Sequence, residues 1–269
     1  MATDPDAIKI ANDSGFPLQI AIGHQVADSK DTHGWTVRHS EHAWTNRFDQ
    51  QSGFIDLVLQ DRYKTTYLVL ECKRVRQATW LFMHPNGTAQ PRRHAKCWVT
   101  HYAKGKMPHY GWCDVPIDPV SPEAMFCAIR GQSVNDRTTL LERVGGELVS
   151  ATEALAEEER DFRPPTYPTA RFYFNVIVTT ADLKVAKFNP QDVSLADGTF
   201  GHAEIESVPF VRLRKQLSMR PVRLTPEDFQ NNTQTADSKE NTVFVLRADS
   251  LLKFLKEFDY PGSSLRQFQ

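Results

Sequence analysis

The run Arg171 to Thr179, RFYFNVIVT, carries apolar or aromatic residues at both odd and even positions. Side chains of a strand alternate between the two faces of its sheet, so this one must be covered on both sides. It follows a long helical pattern from about Asp136 to Arg160. Leu140, Leu141, Val144, Leu148, Ala151, Thr152 and Leu155 repeat along one side, and Glu153, Glu157, Glu158 and Glu159 occupy the other. Pro164 and Pro165 lie just beyond. A long amphipathic helix leading into a doubly covered strand predicts an α/β architecture.

Upstream, Pro17 can open a helix running to about Ser29, with Leu18, Ala21, Ile22, Gln25 and Val26 at 3-and-4 spacing. Gly34 stops that pattern, and three extended segments follow: Trp35 to Trp44, Gly53 to Gln60 and Thr66 to Lys73. Arg74 to Pro122 mixes Pro, Gly, Trp and His, and reads as an insertion whose pairing the sequence does not assign. Further strands are expected at Leu183 to Phe188, Ala203 to Arg212 and Thr242 to Arg247, with a last helix from about Asp249 to Phe258. Asn231 to Asn241 reads as a polar loop.

Cys72, Cys97, Cys113 and Cys127 contain no C-x-x-C pair, so a disulfide framework is not expected. Cys97, Cys113 and His94 or His101 match no common zinc-knuckle spacing. Phosphate-loop, dinucleotide, zincin and serine-hydrolase motifs are also missing. No stretch approaches the roughly 18 apolar residues of a membrane span, and the start lacks the pattern of a signal peptide, so the expectation is a soluble, cytoplasmic protein without a membrane partner.

The densest chemistry lies in GFIDLVLQDRYKTTYLVLECKRVR, Gly53 to Arg76. In Thr66 to Lys73, Glu71 and Lys73 are two residues apart and share a face, whereas Cys72 points to the other and reads as a small buried hydrophobe. Asp56, inside FIDLVL, would be costly to bury without a partner or a cation. If the two strands pair antiparallel, Asp56 approaches Glu71 and Lys73. Two converging carboxylates make a hard oxygen site suited to Mg²⁺ or Mn²⁺, and a nearby ammonium can stabilise charge on a phosphate. The competing interpretation is a structural ion-pair cluster at the end of a sheet.

Asp56, a gap of fourteen residues and then Glu71-Cys72-Lys73 on a strand resembles the PD-(D/E)xK nuclease superfamily. The order helix, three strands, long helix, strand is similar to the αβββαβ core of that restriction-endonuclease-like fold, over about Pro17 to Thr179. The proline of the motif is replaced by Ile55. The resemblance implies an α/β mixed sheet flanked by helices, Asp56 and Glu71 as ligands of Mg²⁺ or Mn²⁺, and a catalytic Lys73. It also suggests accessory roles for Gln19, in the first helix, and Gln77, four residues after Lys73. Residues 1–180 would form the nuclease core with a basic insertion at about 74–122, and residues 181–269 would add strands and a C-terminal helix to the same domain.

The chain of 269 residues carries 32 basic against 33 acidic residues, which by itself names no partner. That balance is an average over unlike regions. The forty-two residues between Glu71 and Asp114 contain no Asp or Glu but hold Lys73, Arg74, Arg76, Arg92, Arg93, Lys96, Lys104 and Lys106. Trp80, Trp98, Tyr102, Tyr110 and Trp112 are interleaved. Such a segment can neutralise phosphates and stack on unpaired bases. Apart from Lys73, its cations are expected to contact nucleic acid. A second basic group, Arg212, Arg214, Lys215, Arg220 and Arg223, reads as surface.

The expected activity is metal-dependent hydrolysis of phosphodiester bonds, with DNA as substrate, in a bacterial defence or repair setting such as antiphage defence. A protein partner would supply targeting or a motor, and a homo-oligomer is left open. The alternative is a catalytically silent nucleic-acid-binding or scaffolding module of the same fold.

Overall fold

The computed structural model describes residues 4–47, 50–76, 78–87, 94–101, 109–129, 139–159, 170–217 and 240–260. Helix α1 (Pro5–Ser14) is one that the apolar periodicity does not announce, because none of its residues is buried. Its signals are local. The Asp4 carboxylate accepts from the amides of Asp6 and Ala7, proline starts the first turn, and Gly15 ends the helix at φ 84°. Helices α2 (Phe16–Asp28) and α3 (Lys30–His33) follow, and Gly34 closes α3 at φ 77°.

Strands β1 (Thr36–Thr45), β2 (Ser52–Gln60) and β3 (Thr66–Lys73) form an antiparallel meander. The basic region supplies β4 (Thr79–Pro85), the hairpin β5 (His94–His101) and β6 (His109–Pro116), and the short β7 (Glu123–Ala124) and β8 (Phe126–Ile129). Helix α4 (Leu140–Glu158) opens with a capping box between Thr139 and Glu142 and leads into β9 (Arg171–Thr179). Strands β10 (Asp182–Phe188), β11 (Glu204–Ser207), β12 (Phe210–Gln216) and β13 (Glu240–Arg247) precede α5 (Leu251–Glu257).

The large sheet runs β1-β2-β3-β9-β13-β12-β7, with the β5–β6 hairpin attached to the start of β9. Strands β3, β9 and β13 are mutually parallel and their neighbours antiparallel, which makes a mixed sheet. Tyr67 and Val69 of β3 and Ile177 of β9 pack under Leu141, Val144, Leu148, Ala151 and Leu155 of α4. Leu68, Leu70, Val176 and Val178 face the other way, against Ile22 and Val26 of α2 and Leu251, Phe254 and Leu255 of α5. Both faces of β9 are thus covered, as its sequence requires. The protein is an α/β structure with a mixed sheet flanked by helices.

A second sheet, β11-β10-β4-β8, extends the core on the α4 side through Trp80, Phe82, Leu183 and Val185. Trp80 is therefore core and not a platform for bases. The single strand expected over Ala203 to Arg212 is two strands in different sheets, divided at Val208 and Pro209. The C-terminal region contributes to the middle of the large sheet, where β13 lies directly beside β9. Of the expected loop Asn231 to Asn241, residues 231–239 lie outside the described residues, and Glu240 and Asn241 begin β13.

Arg212 and Arg214, expected at the surface, are buried. Arg212 donates to Ser121 Oγ and to the carbonyls of His94, Ile117 and Pro119, and lies over the Phe244 ring. Arg214 makes a two-pronged pair with Asp114 and reaches Glu240 at 2.8 Å. These partners replace the water that an exposed guanidinium would have kept. Lys215 pairs with Glu142, and Arg220 and Arg223 lie outside the described residues.

Candidate metal and phosphate site at a strand fork

Strands β2 and β3 pair only from Leu57–Leu70 to Gln60–Tyr67. Beyond that point β2 continues along β1, and β3 continues along β9, where Glu71 sits beside Ile177 and Lys73 beside Thr179. The strands fork, and the β2-side edge of β3 loses its ladder partner. Asp56 is the first residue of β2 past the paired segment, and its Oδ2 accepts from the Cys72 amide at 2.6 Å. A carboxylate here substitutes for a missing backbone acceptor.

Tyr67 and Val69 face α4, and the two-residue period carries Glu71 and Lys73 onto that same side. Lys73 Nζ lies 2.5 Å from Glu71 Oε1, with both side chains half-buried. Burial pushes the Glu71 carboxyl above its ordinary pKa, the charge of Asp56 pushes it further, and Lys73 opposes the shift. Asp56 is raised as well, chiefly by burial, against the Cys72 hydrogen bond and the Lys73 charge. Glu71 feels the charge of Asp56 at the fork, and one ammonium, that of Lys73, opposes both shifts.

Gln19 lies on α2 and is buried. Its amide nitrogen donates to Glu41 Oε1 at 2.5 Å and to the Asp56 carbonyl at 3.0 Å. Both amide hydrogens are engaged, so Gln19 holds β1 and β2 in place and has no donor left over for a water. Cys72 packs on the α2 side of the sheet, and burial drives its thiol pKa far up.

Glu41 is the site residue that the motif does not predict. The register joining Ser40 to Leu57 and His42 to Ile55 sets it opposite Asp56. Its charge also raises the Asp56 pKa. Its φ of 51° is left-handed, a conformation that costs a non-glycine residue about 1–3 kcal/mol. A second unpredicted neighbour is Glu147 on α4, whose charge reaches Glu71. Its signal was present in the sequence, since Glu147 falls on the apolar stripe of Val144, Leu148 and Ala151.

The expected nucleic-acid contacts divide. Arg74 and Arg76 follow β3 and share the single carboxylate of Asp13 on α1, at 3.7 Å for Arg74, so one positive charge of the pair is left over beside the fork. Lys96 is no phosphate contact: it is buried in β5 and pairs with Asp114 at 3.5 Å. Gln77, Arg92, Arg93, Lys104 and Lys106 lie outside the described residues.

Cys97 and Cys113 are cross-strand neighbours in the β5–β6 hairpin, and both are free thiols. Among the described residues, no three His, Cys, Asp or Glu side chains converge as a metal cage, and no helix is long and apolar enough to cross a membrane. At the fork a cation would find two carboxylates, Asp56 and Glu71, and would need water or phosphate oxygens to complete its shell. That is the kind of incomplete shell Mg²⁺ commonly uses.

Fold and site together define an α/β protein with an acidic fork served by one lysine. Comparison of the chain with protein-family models, with curated proteins and with solved structures returns no match.

Proposed function

We propose that this protein is a divalent-metal-dependent nuclease of the restriction-endonuclease-like class, hydrolysing phosphodiester bonds in DNA. The observation that carries the reading is the fork itself. Asp56 and Glu71 are both buried enough to be held above their ordinary pKa, the charge of Asp56 adds to the shift of Glu71, and Lys73, 2.5 Å from Glu71, is the cation that opposes both shifts among the described residues. Such a surplus of negative charge is what a divalent cation relieves. The element order supports the fold assignment: a helix and an antiparallel meander come first, and after the five intervening strands β4 to β8 come a long helix and a strand parallel to β3.

Asp56 and Glu71 would hold the cation, which when bound supplies Lewis-acid neutralisation of phosphate charge. Lys73 meets Glu71 with one ammonium donor and keeps others for the attacking water and a non-bridging phosphate oxygen. The water oxygen bonds to phosphorus as the P–O ester bond breaks, and the water proton passes through solvent to the leaving alkoxide. Gln19 and the Cys72 amide keep the Asp56 segment in place throughout.

A panel of single-stranded, duplex and plasmid DNA and of RNA, incubated with Mg²⁺ or Mn²⁺, tests the proposal. Wild type should cut DNA only with metal. Lys73→Ala should lower the rate at least about 100-fold while the protein stays folded. Equal inactivity of wild type and Lys73→Ala on every substrate would favour the catalytically silent module.

A further inference from the structure

Beside the fork, on the α4 side of the sheet, lies a cavity of about 310 Å³. Its walls are Trp44, Ile55, Leu148 and Ala151, all buried in the core. Gln51, Ser52, Phe54 and Glu147 also line it, and Glu71 belongs both to the cavity and to the fork. Phe54 is 64% exposed, and no hydrogen bond or ion pair engages the Glu147 carboxylate among the described residues. Gly53 lets β2 lie against Trp44, because a Cβ there would stand 3.3 Å from the indole nitrogen.

We infer that this cavity receives an unpaired nucleobase of the strand being cut, and hence that the substrate is single-stranded nucleic acid. The inference rests on the nuclease reading of the fork, through the shared residue Glu71. Size is the first argument: the cavity stands at the low end of the roughly 300–1,000 Å³ of small-molecule sites, enough for one planar ring system and far too small for a stacked base pair. Chemistry is the second. An indole and aliphatic walls suit the faces of a base, because base–aromatic stacking does not depend on sequence.

Charge is the third argument. The Glu147 carboxylate at the cavity repels a phosphate, whereas Glu71 is paired with Lys73, so the backbone stays at the Lys73 side and the ring goes in. An acidic rim accepts hydrogen bonds from the exocyclic amines of adenine, cytosine and guanine; thymine has no such amine. With a scissile phosphate at Lys73, the adjoining base is the group nearest the cavity mouth.

The test pairs substrates with variants that fill or neutralise the cavity. Wild type with Mn²⁺ is assayed on a defined-site single strand, on its duplex, and on the same strand with an abasic residue flanking the cleaved bond. Ser52→Phe, at the exposed rim, and Glu147→Gln are compared by kcat/KM, with thermal melting as a check on folding. Single strand should be preferred over duplex, and the abasic substitution and Ser52→Phe should each cost about tenfold without being additive. Glu147→Gln should narrow a preference for adenine or cytosine over thymine.

Equal cutting of duplex and single strand, or additive losses from Ser52→Phe and the abasic residue, would overturn the inference. If no substrate is cut at all, the nuclease reading fails on its own. The cavity is then tested by 2-aminopurine in a metal-free single strand. Quenching by wild type that Ser52→Phe removes sustains base binding, and no quenching ends it.

Discussion

The Cys72 amide donates to the Asp56 carboxylate across 2.6 Å, at the point where β2 and β3 part. The acid that would hold a metal thereby also closes the end of a ladder. Asp56→Ala removes both roles, whereas Asp56→Asn keeps an acceptor for the amide and removes only the charge. Asp56→Ala should lose about 1–3 kcal/mol of stability, the cost of an unsatisfied buried donor. Both variants should lose metal-dependent cleavage. Denaturant melts set beside cleavage rates separate the two roles.

Asp56 and Glu71 both have folded pKa values above their ordinary ones. The folded state therefore binds their protons more tightly than the unfolded state does. Their cost to stability is absent below the unfolded carboxylate pKa and grows as pH rises through the raised folded values. Metal-free Glu71→Gln should accordingly melt at a higher temperature than wild type at neutral pH. The gap should shrink as the pH is lowered towards 4, read by thermal melts across pH.

A divalent cation binding the same acids should reverse that cost. Mg²⁺ or Mn²⁺ at 100 times its dissociation constant should stabilise the protein by about 2.7 kcal/mol. Asp56→Asn should abolish the shift in melting temperature. An equal shift in wild type and variant would place the bound metal elsewhere.

Asp114 lies below its ordinary pKa: burial pushes it up, but the hydrogen bonds and charge of Arg214, with Lys96, more than offset that. The stability that this pairing contributes is present above the unfolded carboxylate pKa and is lost as pH falls through the lowered folded value. Arg214→Met should cost up to about 3 kcal/mol at neutral pH, because it takes the guanidinium from Glu240 and leaves Asp114, itself partly exposed, with Lys96 alone. Acid should narrow the difference from wild type, which urea titrations at several pH values would measure.

Gln19→Leu should remove both tethers at once, the one to Glu41 and the one to the Asp56 carbonyl. A loss of about 1–3 kcal/mol is expected. Weaker metal affinity should accompany it, measurable by titration calorimetry. Gln19→Glu cannot rescue the loss, since it sets a carboxylate against Glu41.

The elements that position the site were legible because their signals are local. Alternation in Thr66–Lys73 put Glu71 and Lys73 on one face, and the apolar run Arg171–Thr179 required cover on both sides. Arg212 and Arg214 look like surface residues in the sequence because their partners, Ser121 and Asp114, are about a hundred residues away. Strand β4 pairs with β10, and nothing near Thr79–Pro85 announces that distant edge. Glu41 escaped notice because no sequence signal marks a glutamate that will adopt a left-handed turn inside a strand.

Past the fork, the stretch that carries Glu71 and Lys73 is laddered to Ile177 and Thr179 of β9, about a hundred positions further along the chain. A nascent polypeptide lacking those residues would own every acid and the lysine, yet nothing would hold β3 open from β2. Assembly of the centre is thereby postponed until β9 has been synthesised and docked, because contacts so distant in sequence form late. Order of synthesis thus governs the fork: Asp56, Glu71 and Lys73 take up their arrangement only once the sheet that holds them is built.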